Sequence, residues 1–530
     1  MDYLLRGGQI VDGTGARPYQ ADVLIKDGKI ANIGETGNSD GALVLEAEGK
    51  CVTPGFIDIH RHCDLAALER DFGEIELRQG ITTIFTGNCG MSPYPSAPEN
   101  RKGLFQALSP CLGGTSESYF RDCRSYTERL ARTPLPVNMG GLIGAGTVKI
   151  AVKGFSDTPF SSEEQGMARD YFIDALENGV FGISLGIMYV PECYTTLREY
   201  VALLKPCAPR CNLITVHIRA EGDHLVDAVN EALSIGHETG IPVHISHFKS
   251  CGLSNWGRQI FKAIERIEAA QASGQDVSVD FYPYNAGSTT LLTMLPPSFI
   301  GGDLSAAIAS LNTANGVERL RSQLSNKYED WDNYPLSLGW GRIIISSVTQ
   351  SENLKYLGKS VLENAETNGF LDSVSFVAHL LVSEQGQAGI IVQSMCAEDI
   401  DCIARRPYSI VISDALYGKS DTPHPRLYGA FPKIIREYVK ERKVLSLEQA
   451  VYKMSGSPAK RMGLKGKGMI RKGYDADLLV FDPVRFCDHA NYSVPKQFAT
   501  GLDYCFVNGK MALNDDRALL KDAGLFLKNG

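Results

Sequence analysis

The 530-residue sequence has no apolar run of the roughly 18 residues that a membrane-spanning helix needs. It has no excess of positive charge: 53 lysines and arginines stand against 61 aspartates and glutamates, for a formal net charge of −8. That balance argues against nucleic acid and anionic membranes as partners. No internal repeat or low-complexity segment is present. Thirteen cysteines, an odd number, lack the spacing of a disulfide framework. They point to reduced thiols and a cytoplasmic setting. Cys207 and Cys211 are four apart, but Pro206, Pro209 and the lack of a second pair argue against a structural zinc. Met1-Asp2-Tyr3 leads straight into a strand-like pattern, without a secretory signal.

What is there reads as a globular chain, 44% hydrophobic and 22% charged. It is too long for one ordinary core, so one large domain with smaller ones is expected. Short strands at 3–6, 8–11, 22–25 and 29–33 are separated by Asp-Gly turns at 12–13 and 27–28. The same texture returns near the other end, at 476–481 and 504–507, with an Asn508-Gly509 turn. Both ends together suggest one small β domain, 1–53 with 466–530.

The middle alternates. Strands are expected at 56–60, 81–85, 137–143, 180–185, 213–218, 243–247, 277–282 and 410–414. Helices are expected at 162–177, 225–239 and 256–272. Eight such units predict an α/β fold, a (β/α)8 TIM barrel over 54–284 and 376–465, with its active site at the strand C-terminal ends. The stretch 285–375 is too long for a loop and reads as an insertion between strands seven and eight, with helices at 304–311 and 316–324.

The rare residues gather at those strand ends. His60-x-His62 ends strand one behind the Thr53-Pro54-Gly55 turn, and alternation leans both rings the same way. Cys89 follows strand two, His217 ends strand five, His247 ends strand six and Asp414 ends strand eight. In a barrel these converge on one mouth, which is hard to explain without a metal. A lone strand-end histidine is usually a satisfied hydrogen-bonding residue, and a lone cysteine a small core hydrophobe. His379, in the apolar run Phe376-Val377-Ala378, is assigned to the core or the insertion's hinge. His224, His237 and His489 receive no role.

The motifs Pro54-Gly55-Phe56-Ile57-Asp58-Ile59-His60-x-His62, Gly87-Asn88-Cys89-Gly90, Ile245-Ser246-His247-x-Lys249, Tyr282-Pro283-Tyr284-x-Ala286-Gly287-Ser288-Thr289 and Ser413-Asp414-x(9)-His424-Pro425-Arg426-Leu427 carry a family likeness. Over nearly the whole chain the sequence resembles the N-acyl-D-amino-acid deacylases, or D-aminoacylases, of the amidohydrolase superfamily. The resemblance implies hydrolysis of a linear amide, releasing a D-amino acid. It implies Cys89, His217 and His247 as ligands of one tightly bound zinc. His60 and His62, with Cys89 bridging, correspond to a second, weaker position. Asp414 corresponds to the general base and acid at the metal. Lys249, Tyr189, Tyr282 and Arg426 correspond to substrate-binding residues, with Tyr284 competing for the place of Tyr282.

The sequence departs from the family pattern at Arg61 and Cys63, and at Gly144-Ala145-Gly146, where family members carry a histidine. Arg61 is expected to point away from the metal face and only cap the strand. Cys63 is expected to be an oxidation liability. The glycine-rich departure bears on the substrate pocket. The expected substrate has an uncharged side chain, because a buried carboxylate needs its own cation. If Lys149 or Lys153 reaches the mouth, an N-acyl-D-glutamate or D-aspartate becomes the better substrate. Hydrolysis of cyclic amides, of the hydantoinase or dihydropyrimidinase type, is the second reading; those enzymes generally carry a bridging lysine, and Cys89 speaks against it. A scaffold that has lost catalysis is the third, although no ligand is missing. The oligomeric state stays open.

Overall fold

The computed structural model describes residues 1–35, 41–418 and 420–529. In its middle, parallel strands lie side by side in chain order. Phe56–Asp58, Ile81–Thr86 and Asn138–Gly141 form one run. Ile143–Gly144, Gly182–Gly186, Leu213–His217, Val243–Ile245, Val277–Phe281 and Ser409–Val411 form the next. Only Leu142 separates Asn138–Gly141 from Ile143–Gly144, so these are two halves of one third strand. The eighth returns to the first: Asp414 N donates to His60 O at 2.9 Å, and Ala415–Leu416 pairs with Arg61–His62. The arrangement is of the TIM-barrel type. Every residue in these strands is buried, which is why they read as short apolar runs without alternation.

The helices that cover the strands start and stop where local chemistry dictates. Ser162–Glu177 opens on a capping box, in which Ser161 Oγ accepts from Glu164 N at 3.2 Å and Glu164 Oε2 accepts from Ser161 N at 2.7 Å. Leu225–Thr239 ends at Gly240, whose φ of 74° suits a left-handed cap. The helix expected from 256 starts at Gln259, because Asp399 holds the Gly257 N–H at 3.1 Å and keeps that turn out of the helix.

Between the seventh and eighth strands, Gly287–Thr290, Gly389–Val392 and Ile343–Ser347 form an antiparallel sheet. Leu304–Ser310, Ala314–Leu324 and Ser373–Ser383 pack with it around a second core that contains Leu320, Ile345, Phe376, Leu380 and Ile390. The reading that ended this segment at 375 is therefore short. An apolar helix such as Ser373–Ser383 reads the same whether it packs on a barrel or on its own sheet. His379 lies in that helix, its ring 5.2 Å from Phe370.

A third core belongs to a sheet drawn from both ends of the chain. Leu478–Phe481 pairs antiparallel with Cys51–Pro54, and Tyr3–Ile10, Tyr19–Lys26 and Lys29–Gly34 continue on that side. Leu502–Val507 and Lys510–Asn514 continue on the other. Asp27-Gly28 turns Tyr19–Lys26 into Lys29–Gly34 with φ values of 51° and 77°, as a two-residue hairpin requires. The sheet is tied to the barrel through Asp477. Its Oδ2 accepts from Lys467 Nζ at 2.7 Å and from Asn138 Nδ2 of the third strand at 3.2 Å, and its Oδ1 accepts from Asn508 N at 2.6 Å.

Replacing Asp477 by alanine strips three donors of their acceptor, although Lys467 keeps Asp475 at 3.0 Å. The expected cost is about 2–3 kcal/mol, the penalty for leaving buried polar groups unpaired. Urea unfolding measures it; a variant as stable as the parent would show that this junction does not hold the sheet to the barrel.

Candidate active site

The mouth of the strands collects the residues singled out above. Cys89, His247 and Asp414 each follow a strand in left-handed backbone, with φ values of 54°, 34° and 51°. For a non-glycine residue this conformation costs on the order of 1–3 kcal/mol and persists only where the surroundings impose it. Here they do. Asn88 Nδ2 reaches Ile59 O and Phe85 O at 3.3 Å each, the His247 N–H is held by Asp280, and the Asp414 N–H by His60 O. The sharp turns aim three side chains at one point.

Distances define the cluster. His60 Nε2 lies 3.2 Å from Cys89 Sγ and 3.5 Å from Asp414 Oδ1. His247 Nε2 lies 3.4 Å from the same sulfur, and His62 Nε2 lies 3.4 Å from Asp414 Oδ1. Among the described residues, three sets of donors fall within 4.8 Å of one another: His60, Cys89 and His247; His60, His62 and Asp414; His217, Glu221 and His247. His217 thus shares His247 with the cysteine set, and its Nε2 also faces Met188 Sδ at 3.1 Å.

The electrostatics suit a cation at this point. Burial, with His247 adding to it, holds His217 well below the usual imidazole range; burial and Lys249 lower His247. Burial brings His62 down to about 4 against the pull of Asp414. These imidazoles are neutral, the form that ligates a metal. Burial, reinforced by Asp414 and Asp280, pushes the Cys89 thiol well up. A thiolate at that place therefore needs a compensating cation. His62 Nδ1 and His217 Nδ1 are buried without hydrogen-bond partners. His60 differs: against burial, Asp280 and Asp414 raise it. Imidazoles, a buried thiol and carboxylates at this spacing are a donor set that fits zinc.

Two acidic residues that the sequence reading did not single out orient these rings. Asp280 Oδ2 accepts from His60 Nδ1 at 3.2 Å and from His244 Nε2 at 2.9 Å, which turns His60 Nε2 towards the sulfur. Glu221 Oε1 lies 3.0 Å from His247 Nδ1 and 2.5 Å from Lys249 Nζ. The signal for Asp280 was a carboxylate inside the apolar run Val277-Ser278-Val279; Glu221 stands four residues after His217 without any such mark. Asp332, from the insertion, braces Glu221 by accepting from its N–H at 2.6 Å.

Asp414 is set by its cation. Burial alone would raise its carboxyl, but Arg426, at 2.8 Å, and His62 outweigh burial and hold it well below the usual carboxylate range. Arg426 also donates to Ser288 O at 3.2 Å and stacks on the Tyr282 ring at 4.7 Å. Lys249, Tyr189 and Tyr282 line the same mouth. Tyr284 instead turns its hydroxyl to Pro425 O at 3.4 Å and packs on His424. Lys149 donates to Thr195 Oγ1 at 2.9 Å, and Lys153 pairs with Glu164 at 3.1 Å, so neither supplies a cation to the mouth.

Arg61 does more than cap a strand. It is fully buried and donates to Asp58 Oδ2 at 3.1 Å, Ser413 Oγ at 3.0 Å, Glu76 Oε1 at 2.8 Å and Tyr417 OH at 2.7 Å. Cys63 beside it is buried too, and burial pushes its thiol well up, which makes it an inert core residue and not an oxidation liability.

A family model described as an amidohydrolase family matches residues 411–511. The chain is 33% identical to a D-aminoacylase of Alcaligenes xylosoxydans xylosoxydans, covering 96% of this chain and 93% of that protein. This chain belongs to the D-aminoacylase family of the amidohydrolases. It is also 32% identical to an N-acyl-D-aspartate deacylase of the same organism, over 100% of this chain and 95% of the relative. Among solved structures, the N-acyl-D-glutamate deacylase of Bordetella bronchiseptica, complexed with zinc and a phosphonate inhibitor, superposes with a TM-score of 0.84 at 30% identity, covering 100% and 99% of the two chains.

Within this D-aminoacylase-family chain, Arg61→Met leaves Asp58 and Glu76 as buried, uncompensated carboxylates. The expected loss is about 3–5 kcal/mol of stability, the range for breaking a buried ion pair from one side. Chemical unfolding reads it directly; a loss below the resolution of the measurement would mean that the network is not sustained in solution.

Proposed function

We propose that the chain is a zinc-dependent deacylase that hydrolyses the amide bond of N-acyl-D-amino acids, giving a free D-amino acid and a carboxylate. The observation that carries the reading is Cys89 between His60 and His247, beside the His62–Asp414 pair, in a chain a third identical to a D-aminoacylase over nearly its whole length. Cys89, His217 and His247 would hold the tightly bound zinc. His60, His62 and Asp414, with Cys89 beside them, would hold a second, weaker one. Zinc in such a site supplies Lewis-acid polarisation of a carbonyl and lowers the pKa of water towards ~7.

The chain's own groups do the rest. Asp414, kept ionised by Arg426, accepts the proton of the attacking water and delivers it to the leaving nitrogen. The Tyr282 hydroxyl donates to the developing oxyanion. Lys249 and Arg426 bind the α-carboxylate, Arg426 while still paired to Asp414. With the carbonyl and the α-carboxylate fixed, one direction at the α-carbon remains open for a side chain, and an L substrate would drive its side chain into the wall. No lysine from the third strand reaches the mouth, which favours uncharged side chains over D-glutamate and D-aspartate. The domain reading that accompanies this function is a barrel flanked by a small β domain from both termini and by the insertion. No helix among the described residues is long and apolar enough to cross a membrane. The cytoplasmic setting rests on the thirteen cysteines, all free.

Cys89→Ala should lose tightly held zinc by metal analysis. Asp414→Asn should lose about 10²- to 10⁴-fold in kcat, the share of a general acid–base. Near-normal turnover in the second variant would remove Asp414 from the mechanism.

The substrate is tested by kcat/KM for N-acetyl-D-methionine, N-acetyl-D-glutamate and N-acetyl-L-methionine, expected in that order for the first against the other two. Preference for the L compound would sink the reading. Preference for D-glutamate would sink the side-chain argument alone.

A further inference from the structure

Below the metal-ligating rings a line of polar side chains runs down the inside of the barrel. His244 and Ser278 are partners in register on strands six and seven, and Ser278 and Asp280 stand two apart on strand seven. The three side chains therefore share one face, the face that meets His60. Ser278 Oγ lies 2.7 Å from His244 Nδ1, and His244 Nε2 lies 2.9 Å from Asp280 Oδ2. The same oxygen lies 3.2 Å from His60 Nδ1. All four residues are buried.

What each group can donate fixes the direction of this line. An ionised Asp280 only accepts, so His60 and His244 both turn an N–H towards its Oδ2. Burial lowers His244 from the usual imidazole range, so the ring is neutral and that proton is its only one. Its Nδ1 then accepts, and Ser278 Oγ donates to it. The other oxygen of Asp280 takes the His247 N–H. Three donors thus hold the carboxylate, and the carboxylate orients the His60 ring. His244 belongs to none of the three donor sets. A buried imidazole is costly where an apolar side chain could pack, and both of its nitrogens are engaged in this line.

We propose that His244, set by Ser278, is a positioning residue for the weaker metal position: it holds the Asp280 carboxylate in the orientation that aims His60 Nε2 at the mouth. The inference rests on the two-position metal assignment of the deacylase reading and adds a residue that touches neither metal nor substrate. Without the His244 N–H, Asp280 Oδ2 keeps His60 alone, and the ring that it orients gains freedom. Outer partners of metal-bound histidines contribute about 10- to 100-fold in metal affinity, and His244 acts through one such partner, so about tenfold is expected. The tight position should be unaffected, because His247 takes its ring orientation from Glu221.

The experiment titrates zinc into enzyme that carries its tightly bound equivalent, against a chromophoric chelator, and reads the dissociation constant of the second equivalent. His244→Asn should weaken the second equivalent about tenfold, because its shorter amide reaches Ser278 and not Asp280. His244→Gln, whose amide N–H reaches the place of Nε2, should keep wild-type affinity. Both should retain the tight equivalent by metal analysis. Equal losses in the two variants, no loss in His244→Asn, or loss of the tight equivalent as well overturns the positioning role. Should His244→Asn fail to fold, Ser278→Ala carries the test: freeing Nδ1 of its donor should weaken the second equivalent about threefold, the share of one neutral hydrogen bond, and an unchanged constant overturns the inference. A wild-type enzyme that takes up a single equivalent overturns the two-position assignment and this inference together, while hydrolysis of N-acetyl-D-methionine decides the deacylase reading separately.

Discussion

The hydrogen bond from Asp414 N to His60 O joins the last barrel strand to the first, and the chemistry of the mouth depends on it. It holds Asp414 in left-handed backbone and sets its carboxylate against His62. Directly beneath, Asp58 accepts from Ser413 N at 3.1 Å, and Arg61 spans Asp58, Ser413 and Glu76. A buried guanidinium with two buried carboxylates is expensive to assemble and costly to break. Its use here is positional: it fixes residues 58–62 against residues 413–416 and so fixes the distance between the histidine pair and the aspartate.

A second level of carboxylates performs the same task for the other rings. Asp280 joins His60, His244 and the backbone of His247; Glu221 joins His247 to Lys249. Both carboxyls are pulled below their usual range despite burial, Glu221 chiefly by Lys249 and Asp280 chiefly by His60. Ionised, they are acceptors only, which selects the ring nitrogen left free for the centre of the mouth. The insertion takes part through Asp332, so the segment between the seventh and eighth strands steadies the site.

Some of this was legible along the chain. Strands buried on both faces leave apolar runs bounded by turn residues, and rare histidines at their ends stand out against such a background. Turn chemistry was legible too: Asp27-Gly28 and Asn508-Gly509 both adopt the positive φ that their sequence announces. Glu221 was not, because a second carboxylate has no fixed spacing from the ring that it orients; Asp280 is marked only as a carboxylate in an apolar run, which does not tell which ring it meets. The extent of the insertion was missed for a different reason: an apolar helix looks alike on either core.

Residue type and order were enough to mark which side chains could meet a metal and where the chain would alternate between strand and helix, since burial and turn geometry are written in them. Tertiary structure alone decided how those residues are used. It put Arg61 into a closed ion network, turned Lys149 and Lys153 away from the mouth, and paired Arg426 with Asp414. Direction and proximity across segments far apart in the chain are properties of packing, and no local pattern encodes them.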